Sequence, residues 1–130
     1  MKKTIISTKH APLAIGPYEQ GIKFGPFIFT SGQIPIDPET NNLVAGDIKK
    51  ETTQVLRNIE AVLLAGGSSL DKVIKVTVYL KNISDFSSMN DVYQSFFKEN
   101  KPTRSCVEVS NLPKGVGVEM DAVAYVEGDG

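Results

Sequence analysis

Two changes of hydrophobic period, more than any single motif, limit what this chain can become. From Asp47 onward the apolar residues Ile48, Val55, Leu56, Ile59, Val62 and Leu63 recur at helical spacing, with Asp47 placed to cap the first turn and Gly66-Gly67 to stop the last. Directly after it, "KVIKVTVYLKN" alternates. Ile74, Val76, Val78 and Leu80 fall on one face and Lys75, Thr77 and Tyr79 on the other, as in a half-buried strand. A second helical stripe of Phe86, Met89, Tyr93, Phe96 and Phe97 begins at Ser84 and runs out near Asn100 and Pro102. Upstream, "GIKFGPFIFTSGQIP" reads as two strands joined by a tight Gly25-Pro26 turn. Downstream, strands are expected around Arg104 to Val109 and Val118 to Val126. The order strand, strand, helix, strand, helix, strand, strand predicts an α+β sandwich with a mixed sheet and both helices on one of its faces.

A chain of 130 residues, 41% of them hydrophobic, suits one domain over its whole length. Fourteen basic against 15 acidic residues leave a net charge of -1 and no block of like charge longer than a pair or two, which argues against a nucleic-acid partner. "MKKTIISTKHAP" lacks the apolar stretch of a signal peptide, and no apolar run approaches the ~20 residues of a membrane span, so the expectation is a soluble, cytoplasmic protein. With one cysteine, Cys106, and one histidine, His10, neither an internal disulfide nor a histidine-cysteine metal site is expected, and no cofactor motif is evident. The same scarcity turns catalysis away from Ser/His or Cys/His nucleophiles and toward a carboxylate, a tyrosine or an ordered water.

Helices on one face leave the other face of the sheet to be accounted for. In the last strand Glu119, Asp121, Val123, Tyr125 and Glu127 point away from the helices. That side is mixed, not polar. Together with Tyr79 and with Val109 or Cys106 from neighbouring strands, it reads as a surface that meets another copy of the chain.

Five segments in order, "AIGPYEQGI", "TSGQIP", "MNDVYQSFF", "PTRSCVEVSNLP" and "VEMDAVA", resemble the RidA/YjgF family of reactive intermediate deaminases over nearly the whole chain. The resemblance implies a chorismate-mutase-like fold, a homotrimer with its sheets facing inward, and no cofactor. It also implies an activity, hydrolysis of the enamines and imines of 2-amino acids released by pyridoxal-phosphate dehydratases, giving 2-keto acids and ammonia. Ribonuclease or translation-inhibitor activity, and regulatory or chaperone-like binding, are the other roles described in the family.

Residue by residue, the resemblance makes Arg104 the group that grips the substrate carboxylate, a task suited to a planar two-pronged cation. It makes Glu119 the group that orients or activates the attacking water. Tyr18, Ser31, Gly32 and Asn90 are implied to line the pocket, and Cys106 to accept a hydrogen bond through its backbone carbonyl. Asp121 stands where relatives commonly carry glutamate and is read as structural. The connection "FFKENKPTRSC" is shorter than in well-known enzymatic members, which bears on substrate size. In the implied fold the strands starting at Arg104 and Val118 are antiparallel and not adjacent. Five or six residues at ~3.3 Å set their starting ends roughly 17 Å apart along the strands, so the two charges are expected to meet only across a subunit boundary, with Ser31 near Glu119 of its own chain.

Overall fold

The structure, a computed structural model, describes residues 2–127. The elements are β1 (Lys3–Ile6), β2 (Gly21–Phe24), β3 (Phe27–Thr30), β4 (Ile36–Asp37), β5 (Asn42–Leu43), α1 (Ile48–Ala65), β6 (Val73–Leu80), α2 (Phe86–Phe96), β7 (Thr103–Glu108) and β8 (Val118–Tyr125). Six strands form one sheet in the order β1-β2-β3-β8-β6-β7, and β4 and β5 form a small separate hairpin. All pairs in the large sheet are antiparallel except β6 and β7, which α2 joins by a crossover. The α+β architecture is the expected one, a mixed sheet with both helices over one face.

Local chemistry sets the ends of α1. The Asp47 carboxylate accepts hydrogen bonds from the backbone N–H groups of Lys49 at 2.8 Å and Lys50 at 3.3 Å. At the other end Gly66 does more than stop the helix, because a Cβ there would lie 2.6 Å from Ile6 Cδ1 and 2.7 Å from Ile28 Cδ1. Glycine lets the helix end sit on β1 and β3. The buried stripe of α1 (Val55, Leu56, Ile59, Val62 and Leu63) packs with Met89, Tyr93 and Phe97 of the α2 region onto Val76, Val78, Met120, Ala122 and Ala124 of the sheet. Each large aliphatic chain sealed there contributes about 1.5–3 kcal/mol.

Three local expectations change. Ile74 is 40% exposed and Val73 is buried in its place, because the register between β6 and β8 shifts between Val73 and Lys75. The second helix starts at Phe86, behind a 3-10 turn at Ile83–Asp85, two residues after Ser84. Cys106 pairs in register with Val78 and packs against the core, so it lies on the helix side; Val107, 44% exposed and level with Tyr79, takes its place on the open face. The sequence-based order also lacked β1 and the β4–β5 hairpin.

On the open face, one register row carries Ile5, Ile22, Phe29 and Val123 across β1, β2, β3 and β8. Phe27 and Phe29 are 41% and 47% exposed there.

Candidate active site

Arg104 is the second residue of β7. Its register partner Val76 is a core residue, so its side chain rises on the helix side of the sheet. There the guanidinium lies 4.6 Å from the centroid of the Tyr93 ring and 5.4 Å from that of Phe86, both presented by α2. Its Nη1 donates to Asn90 Oδ1 at 2.7 Å. Asn90 and Tyr93 are three residues apart on α2 and share a face, which is how one helix supplies both contacts. Arg104 is thus oriented while still exposed. It borders a cavity of about 460 Å³ together with Asn90, Tyr93, Gln94, Phe97 and Lys101.

Glu119, the second residue of β8, is level with Tyr79 and points to the opposite, helix-free side. It borders a different cavity, of about 380 Å³, with Tyr18, Ser31, Gly32, Ile34 and Lys114. Gln33 pairs with Met120 through hydrogen bonds of 2.7 and 3.1 Å, which draws the Ser31-Gly32 segment alongside β8. Gly32 has to be glycine: a Cβ there would overlap Glu119 Oε2 and lie 3.0 Å from its Cδ. Ser31 is tied down as well, its N–H donating to the Gln20 carbonyl at 2.9 Å and its hydroxyl to that of Glu19.

Burial pushes the Glu119 carboxyl above the ordinary carboxylate range, and the neighbouring Asp121 charge pushes it further. Asp121 is itself raised by burial, partly offset by the hydrogen bond from the Tyr79 hydroxyl at 3.2 Å and by the Lys75 charge. The Cys106 thiol is raised by burial with only partial relief from Arg104, which keeps it from being a ready thiolate. A partly buried carboxylate with a raised pKa has the chemistry to take a proton from water, and a guanidinium whose one side-chain hydrogen bond among the described residues is to Asn90 has the chemistry to grip a carboxylate.

The structure therefore divides the candidate residues into two groups. Tyr18, Ser31, Gly32 and Glu119 share one cavity, while Asn90 and Arg104 share the other. Arg104 is three register steps and two strands from Glu119, about 10 Å along the strands and roughly 14 Å overall. The offset along the strands is shorter than expected because each charge is the second residue of its strand, not at its starting end. Their opposite faces separate them more decisively than the distance does.

Sequence reading does not single out Lys114, although Pro113-Lys114-Gly115 carries a turn signal. Lys114 has φ 57° and Gly115 φ 69°, and Val116 N–H donates to the Pro113 carbonyl at 3.3 Å. This is a turn with two left-handed residues, which costs a lysine roughly 1–2 kcal/mol and brings it to the mouth of the Glu119 cavity. The stacking of Arg104 on Phe86 and Tyr93 also escapes a reading in which both aromatics are core stripe.

Residues 8–126 match the family described as Endoribonuclease L-PSP. The chain is 58% identical over 127 residues to a RutC family protein of Pyrococcus abyssi, covering 98% of this chain and 100% of that one. It is 45% identical over 127 residues to the 2-iminobutanoate/2-iminopropanoate deaminase of Escherichia coli, covering 95% and 98% of the two. Among solved structures, E. coli TdcF with bound serine superposes with a TM-score of 0.92 at 43% identity, over 95% of this chain and 99% of that one.

Proposed function

Since the chain belongs to the Endoribonuclease L-PSP family, the group that includes the RidA/YjgF reactive intermediate deaminases, we propose that it hydrolyses 2-imino acids such as 2-iminopropanoate and 2-iminobutanoate to 2-oxo acids and ammonia. It does so in the cytoplasm as a homotrimer, in clefts where the Arg104 cavity of one subunit faces the Glu119 cavity of the next. The observation that carries this reading is that one chain holds Arg104, exposed and stacked on aromatic rings, and the partly buried Glu119 in separate cavities on opposite sides of its sheet. The exposed apolar row on the open face supports association with further copies.

In this mechanism Arg104 holds the substrate carboxylate at both oxygens, held in turn by Asn90 and the two aromatic rings. The enamine tautomerises to the imine, whose carbon is electrophilic. A water adds there as Glu119 takes its proton. Glu119 returns that proton to the nitrogen, giving the neutral carbinolamine, then takes the hydroxyl proton and passes it to the amino group as the C–N bond breaks and the carbonyl forms, so that nitrogen leaves as NH3. The Cys106 carbonyl accepts a hydrogen bond from the substrate nitrogen, and Tyr18, Ser31 and Gly32 line the wall around Glu119. Imino acids of this kind hydrolyse unaided, so fixing the geometry and supplying one base is enough to give useful acceleration.

The test couples a dehydratase that generates 2-aminoacrylate to this protein and follows its decay. Wild type should accelerate it, and Arg104→Ala should abolish the acceleration while the fold is retained. Arg104→Lys should lose about tenfold or more, because a point charge cannot replace a stacked planar fork. An Arg104→Ala variant as active as wild type would sink the assignment. The ribonuclease reading has a weaker basis, since His10 is the sole imidazole and lies exposed. Cleavage that disappears on further purification would end it, and cleavage that survives but is lost in Arg104→Ala would restore it.

A further inference from the structure

Between β1 and β2 the chain runs through residues 7–20 without helix or strand. This strap carries Tyr18 to the Glu119 cavity. Of its residues, Ala11 and Gln20 are buried, while Leu13, Ile15 and Tyr18 are 65%, 79% and 48% exposed. Packing beneath it is incomplete. A cavity of about 60 Å³ lies between the strap and the Gly32–Ile36 segment, and another of about 300 Å³ separates it from Pro38 and Asn41.

Apart from Ala11, which joins the core, hydrogen bonds hold the strap, and among the described residues they converge on one side chain. Gln20, 3% exposed, accepts from Thr8 N–H at 2.7 Å through Oε1. Its Nε2 donates to the carbonyls of Thr8 at 2.9 Å, Ala11 at 3.2 Å and Pro12 at 2.8 Å. The remaining bonds of residues 8–18 stay inside the strap, His10 N–H to Thr8 Oγ1 and Tyr18 N–H to the Gly16 carbonyl. The backbone carbonyl of Gln20 meanwhile receives the Ser31 N–H. One residue therefore touches both walls of the cavity.

We propose that Gln20 is a positioning residue of the substrate site: its carboxamide is the hydrogen-bonded fastening that holds the Thr8–Tyr18 strap, and Tyr18 with it, against the Glu119 cavity. The amide is suited to this task because it offers an acceptor and two donor hydrogens from one planar group, matching one N–H and several carbonyls. A side chain of the same length without donors leaves those carbonyls unanswered, and they then turn to water. The consequence for substrate is a cavity with one wall adrift, which weakens binding more than it slows the chemistry, since neither Arg104 nor Glu119 belongs to the strap.

The claim for substrate binding rests on the deaminase reading; the claim for the strap does not, and hydrogen exchange separates them. In wild type, the Thr8 amide should be the most protected in the strap. In Gln20→Met, exchange through residues 8–18 should speed up while the amides of α1 keep their protection, and KM for 2-iminobutanoate should rise about tenfold with kcat within about threefold of wild type. Should Gln20→Met yield no folded protein, Gln20→Glu, which keeps the oxygen for Thr8 and loses both donor hydrogens, takes its place with the same expectation. Fast exchange at Thr8 in wild type, or an unchanged KM in a folded variant with a loosened strap, would overturn the proposal. A wild type that does not accelerate imine decay overturns the site reading instead, and the exchange pattern tells the two apart.

Discussion

Arg104 and Glu119 of one chain face away from each other: the first is level with core residue Val76 and leans on the rings of α2, the second is level with Tyr79 on the open side of the same sheet. Within one chain the sheet lies between them. Under the proposed function they act together only between copies.

Complementation tests that division. Mixing Arg104→Ala with Glu119→Ala protein, each inactive alone, and allowing subunits to exchange should recover about a quarter of wild-type activity, because one interface in four then carries both intact residues. No recovery after verified exchange would show that the residues work within one chain or not together.

Gly32→Ala tests the fit of Glu119 against the Ser31-Gly32 backbone. The added methyl would occupy the space of the Glu119 carboxylate, which must swing away. The expected result is a fall of about tenfold or more in kcat/KM with thermal unfolding little changed, since a small displacement of a base is costly to rate. Unchanged kcat/KM would mean that the carboxylate position does not matter.

The pH profile should respond to Asp121, which lines neither cavity. Burial and then the Asp121 charge hold Glu119 above the usual carboxyl pKa of ~4.3, so the acid limb of kcat/KM lies higher than for a free glutamate. Asp121→Asn removes the charge contribution, lowers the Glu119 pKa and should move that limb to lower pH. A limb that stays fixed, or moves up, would contradict the assignment of Glu119 as the base.

Tyr93 is 7% exposed, and its buried hydroxyl has no hydrogen-bond partner among the described residues. Tyr93→Phe removes an unsatisfied group and keeps the ring beneath Arg104. Stability should rise by about 1 kcal/mol, a Tm increase of ~3 °C, with deaminase activity unchanged. A large loss of activity would instead place that hydroxyl in the chemistry.

The elements with a strong period or a chemical stop were legible in the sequence. Asp47 and Gly66-Gly67 bracket α1 as read, and the alternation in β8 assigns its two faces correctly. β1 gave no such signal, because three of its four residues are exposed and so carry no alternation. Ile74 misled because a register shift, invisible in composition, moves one residue across the sheet. The opposed faces of Arg104 and Glu119 depend on how β6 pairs with both β7 and β8, a long-range fact that neither strand encodes alone. Gln20 was hidden for another reason. A glutamine in a Gly- and Pro-rich stretch looks like an ordinary polar loop residue until its partners, 8 to 12 positions away, fold back onto it.

The place of β8 in the sheet has a consequence for how the chain is made. Residues 118–125 are translated after the other strands of this sheet, yet they fill the gap between β3 and β6. A nascent chain emerging from the ribosome can form the β1-β2-β3 meander and the β6-α2-β7 crossover, but each waits with an unpaired edge and an uncovered apolar flank until the final segment threads between them. The two halves are sticky for that interval, and a stall before Val118 would leave both open to pairing with the wrong neighbour on the same polysome.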